Sequence, residues 1–187
     1  MILFQPFFHK EANEANTYIV GCERTGEAIL VDAGSDSPQY DAFLQQKNAR
    51  LTGIFLTHHH WDHDGALASI FQRHDVPVYS FTGSTPKGKA VQEGAKIPIG
   101  RLNARVLQTT GHTPNSISLV VENVLVFVGD ALFAGSIGGT SNEAAKREEI
   151  ENIRTKIFIL PDETLLCPGH GPLTTVGIEK NANPFFG

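Results

Sequence analysis

The stretch Thr57-His58-His59-His60-Trp61-Asp62-His63-Asp64-Gly65 constrains this chain more than any other. Positions 58–64 hold four histidines and two aspartates, half of the chain's eight histidines among them. The cluster follows an apolar run, 51–56, that reads as a buried strand. Residues 65–73, Gly-Ala-Leu-Ala-Ser-Ile-Phe-Gln-Arg, read as a helix. The histidines therefore fall on a strand-to-helix loop, where functional groups are displayed. Any fold built from this chain must close around a dense set of titratable side chains.

Metal chemistry accounts for such a cluster. Neutral imidazole nitrogen and carboxylate oxygen ligate zinc at roughly 2.0–2.2 Å. Alternate side chains of extended backbone point the same way. His58 and His60 can thus share one metal while His59 points elsewhere. Asp62 and His63 come as the chain turns and can face a second metal a few ångströms away. The competing reading is a solvated polar loop with a coincidental run, but ligand-rich clusters at metal-compatible spacing are rare by accident.

Composition narrows the classes. At 187 residues and 41% hydrophobic, the chain suits one domain, 1–187, with a sizeable core. A net charge of −5 and the lack of a basic patch argue against nucleic acid or an anionic membrane as partner. No apolar run approaches the roughly 20 residues that span a bilayer. The N-terminus lacks a basic segment ahead of its apolar residues and reads as a first strand rather than a signal peptide. Two cysteines, Cys22 and Cys167, make no disulfide framework, which fits a reduced cytoplasmic setting.

Along the chain, 2–8, 16–22 and 27–32 read as strands, with turns at Glu11-Ala12-Asn13 and Arg24-Thr25-Gly26. Ser35-Asp36-Ser37-Pro38 starts a helix that runs to about Asn48. A strand at 76–81 leads into a loop-rich section, 82–100. Strands follow at 102–109, 116–121 and 124–128, the last two joined by a two-residue turn at Glu122-Asn123. Ile150, Ile153, Ile157 and Leu160 make one apolar face of a helix that starts near Asn142 or Glu143 and ends at Pro161. Residues 164–167 read as a last strand, with 171–187 a short tail. The elements form two similar halves, which can bury two sheets against each other under helices on both outer faces.

Three further places present a ligand-type side chain just after a strand. They are Thr110-Gly111-His112-Thr113-Pro114, Val128-Gly129-Asp130-Ala131 and Cys167-Pro168-Gly169-His170-Gly171. Each alone is read more simply as a hydrogen-bonded turn histidine or a capping aspartate. Asp32 ends a strand expected beside the metal loop, where it can orient a ligand or serve as a turn carboxylate. His9 and His74 lack ligand company and read as surface or packing residues, and His59 as an anchor for its loop. Cys167 stands three residues before His170, but it reads as a small buried residue. Trp61 is expected to shield the site or pack beneath it, and Phe133 to line a pocket. Lys87, Lys89 and Lys96 belong to a segment read as a solvated loop, with part of the pocket as the alternative.

The pattern His58-His59-His60-Trp61-Asp62-His63, followed in order by His112, Asp130 and His170, resembles the metallo-β-lactamase superfamily across nearly the whole chain. The resemblance implies an α/β fold, a four-layer αββα sandwich. It implies one metal on His58, His60 and His112, a second on Asp62, His63 and His170, and Asp130 bridging them. Two divalent ions carry four positive charges, of which two carboxylates and a bridging hydroxide offset three. Between metals the pKa of water falls from about 15.7 toward about 7, which makes hydroxide available as the nucleophile.

Within the superfamily three segments are similar to short relatives of the hydroxyacylglutathione hydrolases, or glyoxalase II. They are Gly129-Asp130-Ala131-Leu132-Phe133-Ala134-Gly135-Ser136-Ile137-Gly138, Pro168-Gly169-His170-Gly171-Pro172-Leu173-Thr174-Thr175, and Glu179-Lys180-Asn181-Ala182-Asn183-Pro184-Phe185. Gly139-Thr140-Ser141 stand where that group has Arg-Thr-Asp, which removes a positive charge and a carboxylate. The added C-terminal helical region with which glyoxalase II binds glutathione is not expected within 1–187. The implied activity is hydrolysis of a small-molecule thioester or related ester by two divalent ions, zinc first and iron or manganese next, with Asp62 and Asp130 as the catalytic carboxylates. The alternatives are a mononuclear iron persulfide dioxygenase on His58, His112 and Asp130, and a non-catalytic metal-binding module. Lactone or β-lactam hydrolysis would use the same metal chemistry.

Overall fold

The computed structural model describes residues 1–187. Its first sheet has the order β1-β2-β3-β4-β5-β6. The strands are β1 (Ile2–His9), β2 (Ala15–Cys22), β3 (Glu27–Val31), β4 (Arg50–Phe55), β5 (Val78–Ser80) and β6 (Gly88–Ala90). β1, β2 and β3 pair antiparallel, and β3 to β6 run parallel. The second sheet comprises β7 (Ala104–Gln108), β8 (Ile117–Val121), β9 (Leu125–Gly129), β12 (Leu165–Pro168) and β13 (Thr174–Thr175), in the order β13-β12-β9-β8-β7. Between β9 and β12 lies a small hairpin, β10 (Leu132–Phe133) with β11 (Ser136–Ile137).

Side-chain alternation along the strands builds the layers. Tyr18, Val20, Ile29 and Phe55 of the first sheet meet Val106, Leu119, Phe127 and Cys167 of the second in the central core. The opposite face of the first sheet, with Ile19, Leu30 and Ile54, is covered by α1 (Pro38–Gln46) and α3 (Leu67–Ile70). The outer face of the second sheet, with Val120, Val126 and Leu166, is covered by α4 (Glu143–Asn152) with its π-helical extension Ile153–Ile157, and by α5 (Val176–Ala182). The result is the expected four-layer αββα sandwich. Strands buried on both faces read as continuous apolar runs, which is why β8 and β9 stood out in the sequence.

Local chemistry sets the element ends. Ser37 caps α1, its Oγ accepting from the Gln39 N–H at 3.2 Å, with Pro38 opening the first turn. Asn142 caps α4, its Oδ1 accepting from the Ala144 and Ala145 N–H groups. Glu122 and Asn123 both adopt φ of 54°, as a two-residue hairpin turn between antiparallel strands requires.

Three expectations need correction. The helix expected over 65–73 is only the short α3, and it is preceded by a separate turn of helix, α2 (Trp61–Asp64), inside the stretch read as loop. The break occurs because the Ala66 N–H donates to Ala33 O at 2.8 Å instead of continuing the helical ladder. The tail 171–187 carries β13 and α5, with Thr175 capping the helix by accepting from the Ile178 N–H. The loop-rich 82–100 contributes β6 to the sheet edge. No helix is long and apolar enough to cross a membrane.

Candidate metal centre

All the candidate ligands follow the C-terminal ends of strands. β4 leads into His58 and His60, and α2 then presents Asp62 and His63; β7 leads to His112, β9 to Asp130 and β12 to His170. The two sheets are tied together at this edge. The Ile117 N–H donates to Thr57 O at 2.9 Å, the Asn16 N–H to Gly169 O at 2.7 Å, and the Tyr18 hydroxyl to Pro168 O at 2.6 Å. Two glycines let the loops close in. A Cβ at Gly34 would overlap the Asp62 carbonyl oxygen, and one at Gly169 would overlap Asp130 Oδ1.

Hydrogen bonds on the far side of three rings, His58, His63 and His112, decide which of their nitrogens faces the site. His112 Nδ1 lies 2.7 Å from Gly139 O, an acceptor only, so Nδ1 carries the proton and Nε2 is bare. The Thr57 hydroxyl donates to Asp32 Oδ2 at 2.9 Å, so its oxygen accepts from His58 Nδ1 at 3.0 Å and leaves His58 Nε2 bare. His63 Nδ1 donates to Asp32 Oδ2 at 3.0 Å, which turns Nε2 inward. Asp32 thus holds two of the candidate rings at once, one directly and one through Thr57. The Gly139-Thr140-Ser141 segment contributes a backbone carbonyl rather than a charge.

The inward atoms form two groups. One donor atom each from His58, His60, His112 and Asp130 lie within 4.8 Å of one another, as do those of Asp62, His63 and His170. His60 Nδ1 sits 3.0 Å from His58 Nε2 and 3.2 Å from His112 Nε2. A proton on His60 could serve only one of those lone pairs. His63 Nε2 and His170 Nε2 face each other at 3.3 Å. Asp130 Oδ1 is buried without a hydrogen-bond partner; His63 Nε2 is 3.3 Å away, but not aligned to donate. Ring nitrogens converging within each group and an orphaned carboxylate oxygen fit a cation in each, and five imidazoles with two carboxylates suit zinc, iron or manganese.

The electrostatics follow from burial and neighbours. Burial, with the neighbouring His63, pushes the His58 imidazole down to about 2 and so keeps it neutral. His60 is lowered by burial and by His112. Burial opposes charge on His63 too, but Asp32 and Asp130 outweigh it and raise that imidazole to about 10. Burial would raise Asp130, yet the His63 imidazole 3.3 Å away brings it down to about 2.

Other expectations resolve individually. His59 Nδ1 reaches Asp64 Oδ2 at 3.1 Å and anchors the loop. His9 is buried against Tyr40, and His74 pairs with Asp41 at 2.7 Å, both away from the ligands. Cys167 is a buried core residue. Phe133 lies near His170, ring centroids 6.2 Å apart. Trp61 is a correction. As the first residue of α2 it is 64% exposed, so it does not pack beneath the site. Lys87 pairs with Asp75, Lys89 lies over the Tyr79 ring, and Lys96 lines a surface cleft of about 400 Å³ beside the start of β7, the strand whose other end leads to His112.

Sequence reasoning missed two contacts. The Glu149 side chain is fully buried on α4, with Oε1 accepting from the His112 N–H at 3.0 Å and Oε2 unpartnered. Burial, opposed by that hydrogen bond and assisted by Asp130, pushes its carboxyl up to about 8. A glutamate next to the apolar face of α4 was the only signal. Asn13 Nδ2 donates to Asp62 Oδ2 at 3.0 Å, a contact that nothing in the local sequence announces.

The sandwich and its His/Asp edge define a class, and comparison with known proteins agrees. The profile of the metallo-β-lactamase superfamily matches residues 12–170, and the chain belongs to that superfamily. It is 31% identical to hydroxyacylglutathione hydrolase GloC of Haemophilus influenzae, over 85% of this chain and 87% of that one. The crystal structure of the BLEG-1 B3 metallo-β-lactamase superposes with a TM-score of 0.85 at 29% identity, covering 98% of this chain and 99% of the other. TTHA1623 in a di-iron-bound form superposes with a TM-score of 0.77 at 30% identity, covering 97% and 99%. The chain is hydrolase-like and carries the superfamily's metal-binding His/Asp clusters.

Proposed function

We propose that this chain is a binuclear metal-dependent hydrolase of small thioesters or related esters, with zinc as the favoured metal and iron or manganese as alternatives. One observation carries the binuclear reading. Asp130 Oδ2 faces both donor groups, 3.9 Å from His58 Nε2, 3.6 Å from His112 Nε2 and 3.6 Å from His170 Nε2. His58, His60 and His112 would hold one ion, and Asp62, His63 and His170 the other, with Asp130 between them. When bound, the ions supply a water-derived nucleophile near neutral pH and Lewis acidity toward a carbonyl oxygen.

The chain's own residues set the conditions for that chemistry. Asp62 and Asp130 are the two carboxylates of the site; they partly offset the cationic charge and leave a net attraction for an electron-rich carbonyl. Asp32, acting directly on His63 and through Thr57 on His58, keeps both rings aimed. Phe133, beside His170, gives an apolar wall for the acyl or thiol portion. Hydrolysis forms a carbon–oxygen bond from water and breaks the acyl–sulfur bond; the sulfur leaves with the bonding pair and takes a proton.

Thioesters come first because similarity to GloC runs along most of both chains. The likeness to BLEG-1 makes a β-lactam the natural competing substrate. The test is turnover of S-lactoylglutathione and of a β-lactam by wild type and by Asp130→Ala. Thioester turnover lost together with metal in the variant supports the proposal; full turnover in the variant contradicts it. The persulfide dioxygenase alternative needs only His58, His112 and Asp130, and it leaves the complete second group without a use.

A further inference from the structure

We infer that Asn13, in the turn between β1 and β2, is a positioning residue for Asp62 and sets the affinity of the second metal. This rests on the proposal that Asp62 is a ligand of that metal. Asn13 Nδ2 donates to Asp62 Oδ2 at 3.0 Å, and that same oxygen lies 3.5 Å from His170 Nε2. The contacted oxygen is therefore the one aimed into the second group. An amide occupies one of its lone pairs, holds the carboxylate rotamer, and leaves the other lone pair for a cation. Being neutral, the amide does so without adding a competing charge.

The turn that carries Asn13 is held in a costly shape. Asn13 and Glu14 adopt φ of 51° and 62°, two successive left-handed residues with neither a glycine. Asparagine tolerates that region; glutamate does so only where its surroundings hold it. Those surroundings are specific. Glu11 Oε1 accepts from the Ser35 hydroxyl at 2.8 Å, and Ser35 follows Gly34, the residue packed on the Asp62 backbone. On the other side the Asn16 N–H donates to Gly169 O at 2.7 Å, one residue before His170. The turn is thus fastened to the two segments that hold Asp62 and His170. The side-chain hydrogen bonds of residues 11–14 include none to His58, His60 or His112.

The experiment uses the full chain as Asn13→Gly, which fits the left-handed backbone and removes the side chain that carries the amide. Zinc affinities of the two sites are read by chelator competition, with thermal unfolding of the metal-free protein alongside. The second zinc is expected to bind about tenfold more weakly, the low end for losing a hydrogen bond to a carboxylate, with the first unchanged. Metal-free unfolding is expected to shift little, since glycine fits the left-handed backbone at position 13. Unchanged affinity at both sites, or an equal loss at both with a lower unfolding temperature, overturns the inference. Asp62→Ala is measured in parallel. If it still binds two zinc ions, the ligand assignment and this inference fall together. If it loses the second zinc while Asn13→Gly binds as wild type, only the inference falls.

Discussion

Asp130 and His63 show how single residues divide the work. Asp130 Oδ2 lies within 4 Å of nitrogens in both donor groups, so Asp130→Ala should lower metal content and reduce turnover about 100-fold, the upper end for loss of a group that only orients a ligand. Elemental analysis beside steady-state kinetics reads both effects. Thr57→Val removes the hydroxyl that links His58 to Asp32 and should weaken metal binding about 10- to 100-fold while the fold persists. His63 gives a pH signature. In the metal-free protein its imidazole is raised to about 10, against about 6.5 in the unfolded chain. Its stabilising contribution is therefore full below about pH 6.5 and is lost as pH rises through about 10. A metal entering at pH 7 must displace that proton, so affinity should rise about tenfold per pH unit over this window. Calorimetric titration in two buffers of different ionisation heat measures the release; zero protons released would count against His63 as a ligand.

At the scale of elements, the close fit between the end of β3 and α2 is the sharpest constraint. A Cβ at Gly34 overlaps the Asp62 carbonyl, so Gly34→Ala should cost about 1–3 kcal/mol by overpacking and displace Asp62 and His63 together. Chemical denaturation and metal counting should move in concert; a stable variant with full metal content would contradict that coupling. The same junction shows what sequence could and could not reveal. The His58–His63 pattern and the Gly/Pro turns around His112 and His170 are local, and so were legible. The break between α2 and α3 was not, because it depends on Ala66 N–H finding Ala33 O across the fold. Likewise α5 lacks a long apolar stripe, and its support comes from tertiary bonds, Glu179 accepting from the Thr174 hydroxyl and the Gly135 N–H. Asn13 and Glu149 act on residues 49 and 37 positions away, beyond the reach of any local pattern.

For the molecule as a whole, three apolar clusters of 16, 14 and 13 buried residues lie between and outside the sheets, built without any metal ligand. Chelator-treated protein should therefore keep its far-ultraviolet circular dichroism and unfold cooperatively, at a lower temperature than the loaded form, because metal binds only the native state. Loss of secondary structure on chelation would mean that metal, rather than the clusters, holds the sandwich together. The strands were readable one by one as apolar runs and the αββα layering came from the superfamily resemblance, whereas the order of strands within each sheet is set by pairings between distant segments. The central claim is two metals per chain on seven residues, and native mass spectrometry of the purified, chelator-free protein tests it most directly. The predicted result is a mass increment of two divalent ions in wild type that falls to one or none in Asp130→Ala. A single ion in wild type, or two ions retained in Asp130→Ala, would contradict it.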